Sequence, residues 1–463
     1  MINNNDLEKV ESCQNDVFSR IDANDPHILD TIARQYERKI VGLPNEIKTL
    51  VCCLLSKDLP RQYRTSVIIS NQSSTGKSYL LNNVLEPFKT PEEPLIDPVI
   101  DYTDFSEAHF KRSQSNVNGK IIKIEQLERR DENGKLSFQK LKHMVSEGRL
   151  KFGNVDNNED GTRQAKDFEI VGVPVIATTT TEFNIDSETA NRFLMMQLDE
   201  SEDQTKKIIS YTLKEYSTLG FDSEDDSVGQ LRELFKGFKE YAHHIDGILI
   251  PFAEKLEKII PKTLEMRRDL KKILNLACLI AFIHGFNRDH FISKKQKQFF
   301  TGDSIETTPQ NTFIIVATPE DLKMALEIAG DSIKQTINKS SKKLMGIDSI
   351  LRELNNKKDV NDMTGITVKE VSDCLDIGET RTREYLNELC DKGFTGKDIT
   401  EKIHKYYPKN KKFTELNVSE ITFSDQEYDT WVKKIEEEIK EQYSFVPSCH
   451  NVSDSKSNTI ASC

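Results

Sequence analysis

Ser66-Val-Ile-Ile-Ser-Asn-Gln-Ser-Ser-Thr-Gly-Lys-Ser78 is the stretch on which the fold turns. Val67, Ile68 and Ile69 are consecutive and β-branched, the pattern of a strand buried on both faces. Small and polar residues follow, then Gly76-Lys77-Ser78, and then Tyr79-Leu-Leu-Asn-Asn-Val-Leu85 as a helix. Strand, small-residue loop, Gly-Lys-Ser and helix make the pattern of a phosphate-binding loop. Backbone N–H groups at a helix N-terminus point at an anion, the lysine adds positive charge, and the serine hydroxyl ligates Mg²⁺. On this reading Asn71, Ser73, Ser74, Thr75, Gly76, Lys77, Ser78 and Tyr79 hold the phosphates of a nucleotide. Asn71 stands where the motif usually has its first glycine, and asparagine tolerates the left-handed backbone expected there. The competing reading is a strand–turn–helix that merely contains Gly-Lys-Ser.

The chain has 463 residues, too many for one core, so two or three domains are expected. An apolar content of 36% with 30% charged residues suits a soluble, helix-rich protein. No apolar run approaches about 20 residues, so no membrane span is expected. Met1-Ile-Asn-Asn-Asn-Asp6 lacks the basic and apolar regions of a secretory leader. The eight cysteines form no Cys-x-x-Cys pair, and Cys52 and Cys53 fall in an apolar helical run. That argues against a zinc site or a disulfide framework and for a reducing, cytoplasmic setting, nucleoid-associated if the protein is cellular. The net charge of −12 excludes a generally basic coat for nucleic acid but leaves room for a locally basic channel.

Working outward, residues 1–35 read as a polar lead-in running into a helix from Ile28. Residues 36–200 read as an α/β core. Asn45 is a plausible cap for a helix to Leu55. Beyond the loop come Val99–Tyr102 as a strand, Asp104–Lys111 as a helix, Gly119–Glu125 as a strand and Leu136–Gly148 as a helix. Residues 149–170 predict a long hairpin with its turn at Asp156–Gly161. Val173–Ala177 predicts a buried strand running into Thr178–Thr181, and Leu194–Leu198 another. Strands alternating with helices imply a mostly parallel sheet between helical layers. Residues 201–340 read as a helical subdomain with an acidic linker at 222–226 and a strand at Phe313–Val316. Residues 345–430 read as a helix-turn-helix, with Ile403–Tyr407 and Leu416–Phe423 as the arms of a wing. Residues 431–463 hold a last helix with Trp431, Ile435 and Ile439, then a Ser- and Asn-rich tail from 444 expected to be disordered.

A phosphate loop needs an acid at the end of a neighbouring strand, to polarise water or to hold Mg²⁺ with Ser78. Glu125 fits by position, and Gln126 follows it where a second acid is common. Thr178 and Thr179 end the next strand, where a hydroxyl can touch a γ-phosphate or simply cap the strand. Arg192 precedes an apolar strand, placed either for a neighbouring subunit's γ-phosphate or for a surface ion pair. Arg267 and Arg268 open a helix, and one of them is a candidate second phosphate sensor. Arg149, Lys151, Arg163 and Lys166 along the hairpin, and Arg381 and Arg383 at the start of the third helix of 345–430, are candidate DNA contacts. Acidic neighbours (Asp156, Glu159, Asp160, Asp167) keep a solvated hairpin open as the other reading.

The order of these motifs resembles the ATPase core of hexameric replicative helicases. It is similar to the minichromosome maintenance helicases and closer to the helicase part of primase–helicase proteins of mobile elements, phages and plasmids. Ile40–Leu43, Ser73–Ser78, Ile121–Glu125, Gly148–Leu150, Ala177–Thr181, Asn191–Phe193, Leu198–Thr205 and Arg267–Lys271 carry the likeness, over about residues 38–290. The resemblance implies an AAA+ P-loop ATPase core with a helical subdomain and a C-terminal winged helix. It implies ATP and Mg²⁺ as ligands, Glu125 at Walker B, Thr179 near sensor 1, Arg192 as an arginine finger and 151–168 as a pore hairpin. It further implies a homo-oligomer, a hexamer by analogy, acting on DNA, with priming left to a separate primase. An ATP-driven DNA translocase is the leading expectation. The alternatives are a DNA-binding ATP switch with slow hydrolysis, which Gln126 suits, and an interaction protein with a vestigial loop.

Overall fold

The computed structural model describes residues 22–90, 97–102, 116–125, 138–157, 163–181, 192–217, 227–258, 260, 262, 266–294, 297–301, 304–308, 312–338, 342–357, 365–375, 377–399, 403–412 and 424–448. The expected helix at Asp104–Lys111, Gln126, residues 158–161 of the expected hairpin turn (Asp156 and Asn157 belong to the strand before it), the linker at 222–226, the wing arm at Leu416–Phe423 and the ends 1–21 and 449–463 lie outside these residues. Two compact units are present: Met1–Ile260 with Arg267–Gly330 and Val418–Cys463, and Pro261–Met266 with Asp331–Asn417.

In the first unit, α1 (Ile28–Tyr36) and α2 (Pro44–Leu55) precede β1 (Ser66–Ser70) and α3 (Lys77–Leu85). Then come β2 (Val99–Tyr102), β3 (Ile121–Ile124), α4 (Phe138–Glu147), the hairpin strands β4 (Arg149–Asn157) and β5 (Arg163–Val171), β6 (Val175–Thr180) and β7 (Phe193–Met196). The helix expected to be capped by Asn45 starts instead at Pro44 with Leu43 as its N-cap. Proline's fixed φ suits the first helical position, where its missing N–H costs nothing.

The central sheet has the order β2-β3-β6-β1-β7, with every neighbouring pair parallel. All residues of β1, β3 and β6 are buried, and each carries an apolar, largely β-branched stretch (Val67–Ile69, Ile121–Ile122, Val175–Ala177) that marks it in the sequence. Ile68, Ile122, Ile124, Ile176 and Phe193 form one cluster with Met144 of α4 and Leu150 and Ile170 from the root of the hairpin. The connection leaving β1 crosses towards β2, whereas the one leaving β6 crosses over β1 to β7. Adjacent strands thus send their chains in opposite directions, and the crevice at their carboxyl ends is where open α/β sheets take ligands.

Next in sequence are α5 (Glu202–Ser217), α6 (Ser227–Ala242), β8 (Ile245–Leu249), α7 (Met266–Ile283), β9 (His290–Ser293), the hairpin β10 (Lys297–Thr301) and β11 (Ser304–Thr308), β12 (Phe313–Val316) and α8 (Pro319–Asn338). The strand at Phe313–Val316 is as expected, but the reading of the rest of 201–340 as helical is corrected at β8 and β9. β8, β9 and β12 belong to a four-stranded sheet with Tyr443–Val446 (β16), in the order β16-β9-β12-β8. A five-residue apolar segment such as Ile245–Leu249 has no period that separates strand from helix, and its partner Phe313–Val316 lies far along the chain. The last strand, β16 (Tyr443–Val446), falls partly in the tail expected to be disordered, and it pairs with β9. Its Phe445 packs against Phe291 with the rings tilted by 52° and their centroids 5.3 Å apart.

The second unit holds α9 (Lys342–Lys357), β13 (Ile366–Thr367), α10 (Val368–Leu375), α11 (Glu379–Asp391), β14 (Thr395–Asp398) and β15 (Lys405–Pro408). α12 (Asp425–Ile439), back in the first unit, starts with a capping box at Ser424 and Glu427. Leu344, Ile347, Leu351, Ile366, Val371, Leu386, Leu389 and Tyr406 form the core of the second unit. Gly393 (φ 79°) ends α11 in the left-handed form, and Phe394 N–H donates back to the Leu389 carbonyl. The antiparallel sheet is β13-β15-β14, so Lys405–Pro408 pairs with Thr395–Asp398 on one side and Ile366–Thr367 on the other. Thr395-Gly-Lys-Asp398 carries little apolar signal, and a Cβ on Gly396 would fall 2.1 Å from the Tyr407 ring, which would have to swing aside.

Candidate phosphate-loop site

β1 ends at Ser70, and the loop begins at Asn71, whose N–H donates to the Thr180 carbonyl of β6 at 3.3 Å. The left-handed backbone positions are Ser74 (φ 65°) and Gly76 (φ 83°), not Asn71. The expectation for Asn71 is therefore corrected. Its backbone is ordinary, and its side chain does the tethering. Asn71 is buried, with Oδ1 accepting from Leu198 N–H (2.7 Å) and Nδ2 donating to the Leu198 carbonyl (3.1 Å) and to Glu200 Oε1 (2.9 Å). The loop is stitched to the segment between β7 and α5.

Gly76 is the N-cap of α3, with no side-chain cap, and a Cβ built on it meets nothing within 4 Å. The first N–H groups of α3 have no acceptor within the helix and no side-chain cap, the arrangement that suits a phosphate. Lys77 is buried, and its Nζ donates to the carbonyls of Asn71 (2.9 Å) and Gln72. Burial pushes the Lys77 ammonium below its usual range, and the nearby Glu200 carboxylate pulls it back up. Ser78 is half-buried, and Ser73 and Ser74 are exposed. The Thr75 hydroxyl donates to the Gln72 carbonyl at 3.1 Å. Tyr79 is exposed, with its hydroxyl on the Lys39 carbonyl at 3.2 Å.

Glu125 follows β3 and is half-buried. One strand, β6, separates β3 from β1, so its Cα lies about 10 Å across the sheet from the start of the loop. The Thr178 hydroxyl donates to the Ile124 carbonyl at 2.8 Å, and the Thr179 hydroxyl to the Glu125 carbonyl. Both hydroxyls hold the strand end that carries Glu125. Ser78 and Glu125 offer the oxygen ligands that Mg²⁺ prefers. Among the described residues no three His, Cys, Asp or Glu side chains gather into a metal site, so phosphate oxygens would have to complete the shell.

Arg192 sits immediately before β7, whose Phe193 lies opposite Ser66 in parallel register. It therefore stands at the amino edge of the sheet, level with Thr65 and about 20 Å along the strands from the start of the loop at Asn71. That separates it from the loop of its own chain. Arg267 is exposed in the first turn of α7, and the side chain of Arg268 lies outside the described residues.

The hairpin runs in register from Arg149↔Val171 to Asn157↔Arg163, about 27 Å of paired strand. Its root is locked by Gly148 (φ 68°) and Gly172 (φ 105°). Arg149 and Lys151 are exposed and share Glu169, at 2.7 and 3.9 Å. Arg163 and Lys166 are on β5, with side chains outside the described residues. In the second unit Arg381 and Arg383 are exposed on either side of buried Thr382 in the first turns of α11.

Leu198 and Glu200 are the loop partners that sequence reasoning missed. An asparagine in the first-glycine place was the available signal, since a buried amide there demands partners.

No protein-family model and no curated protein matches the sequence. Solved structures do resemble the fold. One is a full-length MCM homolog from Methanopyrus kandleri, at 15% identity and a TM-score of 0.35 over 71% of this chain and 62% of that one. Another is a Cytophaga hutchinsonii protein described as a candidate ATPase, at 10% identity and 0.37 over 76% and 98%. A third is SCCmec type IV Cch, described as an active helicase, at 10% identity and 0.31 over 85% and 71%. The chain thus spans 62% of the length of the MCM homolog.

Proposed function

We propose that this chain is an ATPase of the AAA+ type that assembles into a ring and moves along DNA in replication. The carrying observation is the uncapped N-terminus of α3 at the switch point of a parallel sheet, with Lys77 in the loop and Glu125 across β6. Asn71 and Ser73–Tyr79 would hold the phosphates through the backbone, and Lys77 would neutralise the β- and γ-oxygens. Mg²⁺, held by the Ser78 hydroxyl with Glu125 behind it, would offset charge on those oxygens. Glu125 would take the proton of the attacking water, with Thr179 fixing the strand end that carries it. Arg192, remote from its own loop, would serve the loop of a neighbouring copy, which makes the homo-oligomer, a hexamer by analogy, part of the site. Arg267 and Arg268 remain candidate second sensors. Lys151, Arg163 and Lys166 would line the pore against single-stranded DNA. Arg381 and Arg383 would present the second unit, read as a winged helix, to a duplex. A separate primase would be the partner that supplies primers.

The second reading, an ATP switch with slow turnover, is favoured by two observations. The Thr178 and Thr179 hydroxyls are spent on main-chain carbonyls, and Gln126 follows Glu125. ATP turnover with and without single-stranded DNA separates the two. The motor predicts stimulation that is lost in Lys77→Ala and in Arg192→Ala. Activity regained on mixing those two variants would place Arg192 in trans. Nucleotide-dependent assembly with negligible turnover would refute the motor.

A further inference from the structure

Every polar atom of the Asn71 side chain is committed to the β7–α5 connection, and one of its three partners is a carboxylate. Glu200 is exposed, and the Asn71 amide that donates to it also donates to the Leu198 carbonyl. It nevertheless stands close enough to Lys77 to act on the ammonium. A loop whose ligand carries three or four negative charges gains nothing from an acid at its mouth. Next to Glu200, Asp199 is differently employed. Its two oxygens accept from Ser201 N–H (2.9 Å) and Oγ (3.0 Å), and Ser201 in turn accepts from Gln204 N–H (3.2 Å) at the start of α5. Glu200 can therefore leave without breaking that cap.

α5 is rooted at this place and nowhere buried beyond it. Gln204 is its one buried residue, donating to the Val41 carbonyl, and the Tyr211 hydroxyl reaches the Arg38 carbonyl. Whatever moves the 198–201 segment acts on the base of this exposed helix.

We infer that Glu200 is an acidic guard of the phosphate loop. Its carboxylate, parked on Asn71, opposes incoming phosphates and is expelled when they bind, which sets nucleotide affinity and loosens the root of α5. The inference rests on the nucleotide reading of the loop. Before binding, Glu200 balances the partly buried Lys77. On binding, Lys77 turns its charge to the phosphates, and Glu200 faces them across Asn71 without compensation. Its single charge-assisted bond to the Asn71 amide is too weak to hold it there.

The test is the affinity of ATPγS and of ADP for the full chain, compared among wild type, Glu200→Gln and Glu202→Gln. Glutamine keeps an acceptor for Asn71 Nδ2 and removes the charge. Glu202 is an exposed acid two residues on, paired with Lys206 at 2.9 Å, and controls for net charge. Glu200→Gln should bind ATPγS roughly threefold to tenfold tighter at low salt, with a smaller gain for ADP. The gain should fall to within about twofold near 0.5 M salt, which a purely structural effect would not do. Amides 199–204 should exchange faster with nucleotide in wild type and change less in Glu200→Gln. Unchanged or weaker binding by Glu200→Gln, or an equal gain in Glu202→Gln, overturns the guard while leaving the site. A wild-type chain that binds neither nucleotide overturns both.

Discussion

Asn71→Ala isolates the tether that replaces the usual loop glycine. The substitution removes three hydrogen bonds, to Leu198 N–H (2.7 Å), the Leu198 carbonyl (3.1 Å) and Glu200 (2.9 Å). Leu198 is buried, so its N–H and carbonyl lose their partners where water has little access. A net hydrogen bond contributes about 1 kcal/mol, and stranding a buried polar group costs about 1–3 kcal/mol. Relaxation of an exposed neighbour such as Glu200 recovers part of this, so a local loss of about 3 kcal/mol is expected. The assay is hydrogen exchange at the Leu198 amide under native conditions, because a chain of two units need not unfold in one step. At 1.4 kcal/mol per decade, 3 kcal/mol accelerates exchange roughly 100-fold. Asn71→Asp should be no better. It keeps the acceptor for Leu198 N–H but places a second carboxylate against Glu200 and the Leu198 carbonyl. If exchange at Leu198 in Asn71→Ala stays within about threefold of wild type, the side chain is not the tether and the reasoning fails.

Two glycine substitutions should diverge although both positions have positive φ. Gly76→Ala meets open space and should cost only the left-handed backbone, about 1–2 kcal/mol, whereas Gly172→Ala sets a Cβ 2.4 Å from Asn118 N and should cost more, read by thermal or urea unfolding. Stability should also fall in mild acid. His290 is buried beside the Tyr241 hydroxyl (Nε2 at 3.1 Å), and burial holds its pKa down to about 4. The unfolded chain therefore takes up a proton near pH 6.5 that the folded chain refuses. The contribution of His290, about 3 kcal/mol, is whole above that pH and is lost as pH falls towards 4. His290→Gln should flatten this part of the pH profile, and an unchanged slope would remove His290 as its source.

The phosphate loop was legible because its parts are local. A β-branched run, a small-residue loop and Gly76-Lys77-Ser78 before a helix need no distant partner to be recognised. The same holds for β3, β6 and β7, whose apolar runs stand out because the sheet is covered on both faces. Ile245–Leu249 and Tyr443–Val446 were misread for the opposite reason. Each is a short edge strand of a sheet whose neighbours lie far along the chain, so its hydrogen bonds have no signature in its own residues. The pairing of Lys405–Pro408 with Thr395–Asp398 shows the same limit, since Thr395-Gly-Lys-Asp398 is made a strand by its partner.

At the site, composition and spacing determined which residues are chemically able to hold a phosphate, because anion binding at a helix N-terminus depends on neighbours in sequence. Tertiary structure alone decided how those residues relate. It set Arg192 at the far edge of the sheet from its own loop, turned the Thr178 and Thr179 hydroxyls onto the β3 end, and gave Asn71 a side-chain role in place of a backbone one. Each follows from strand order and register, which are set by long-range pairing that no window of sequence contains.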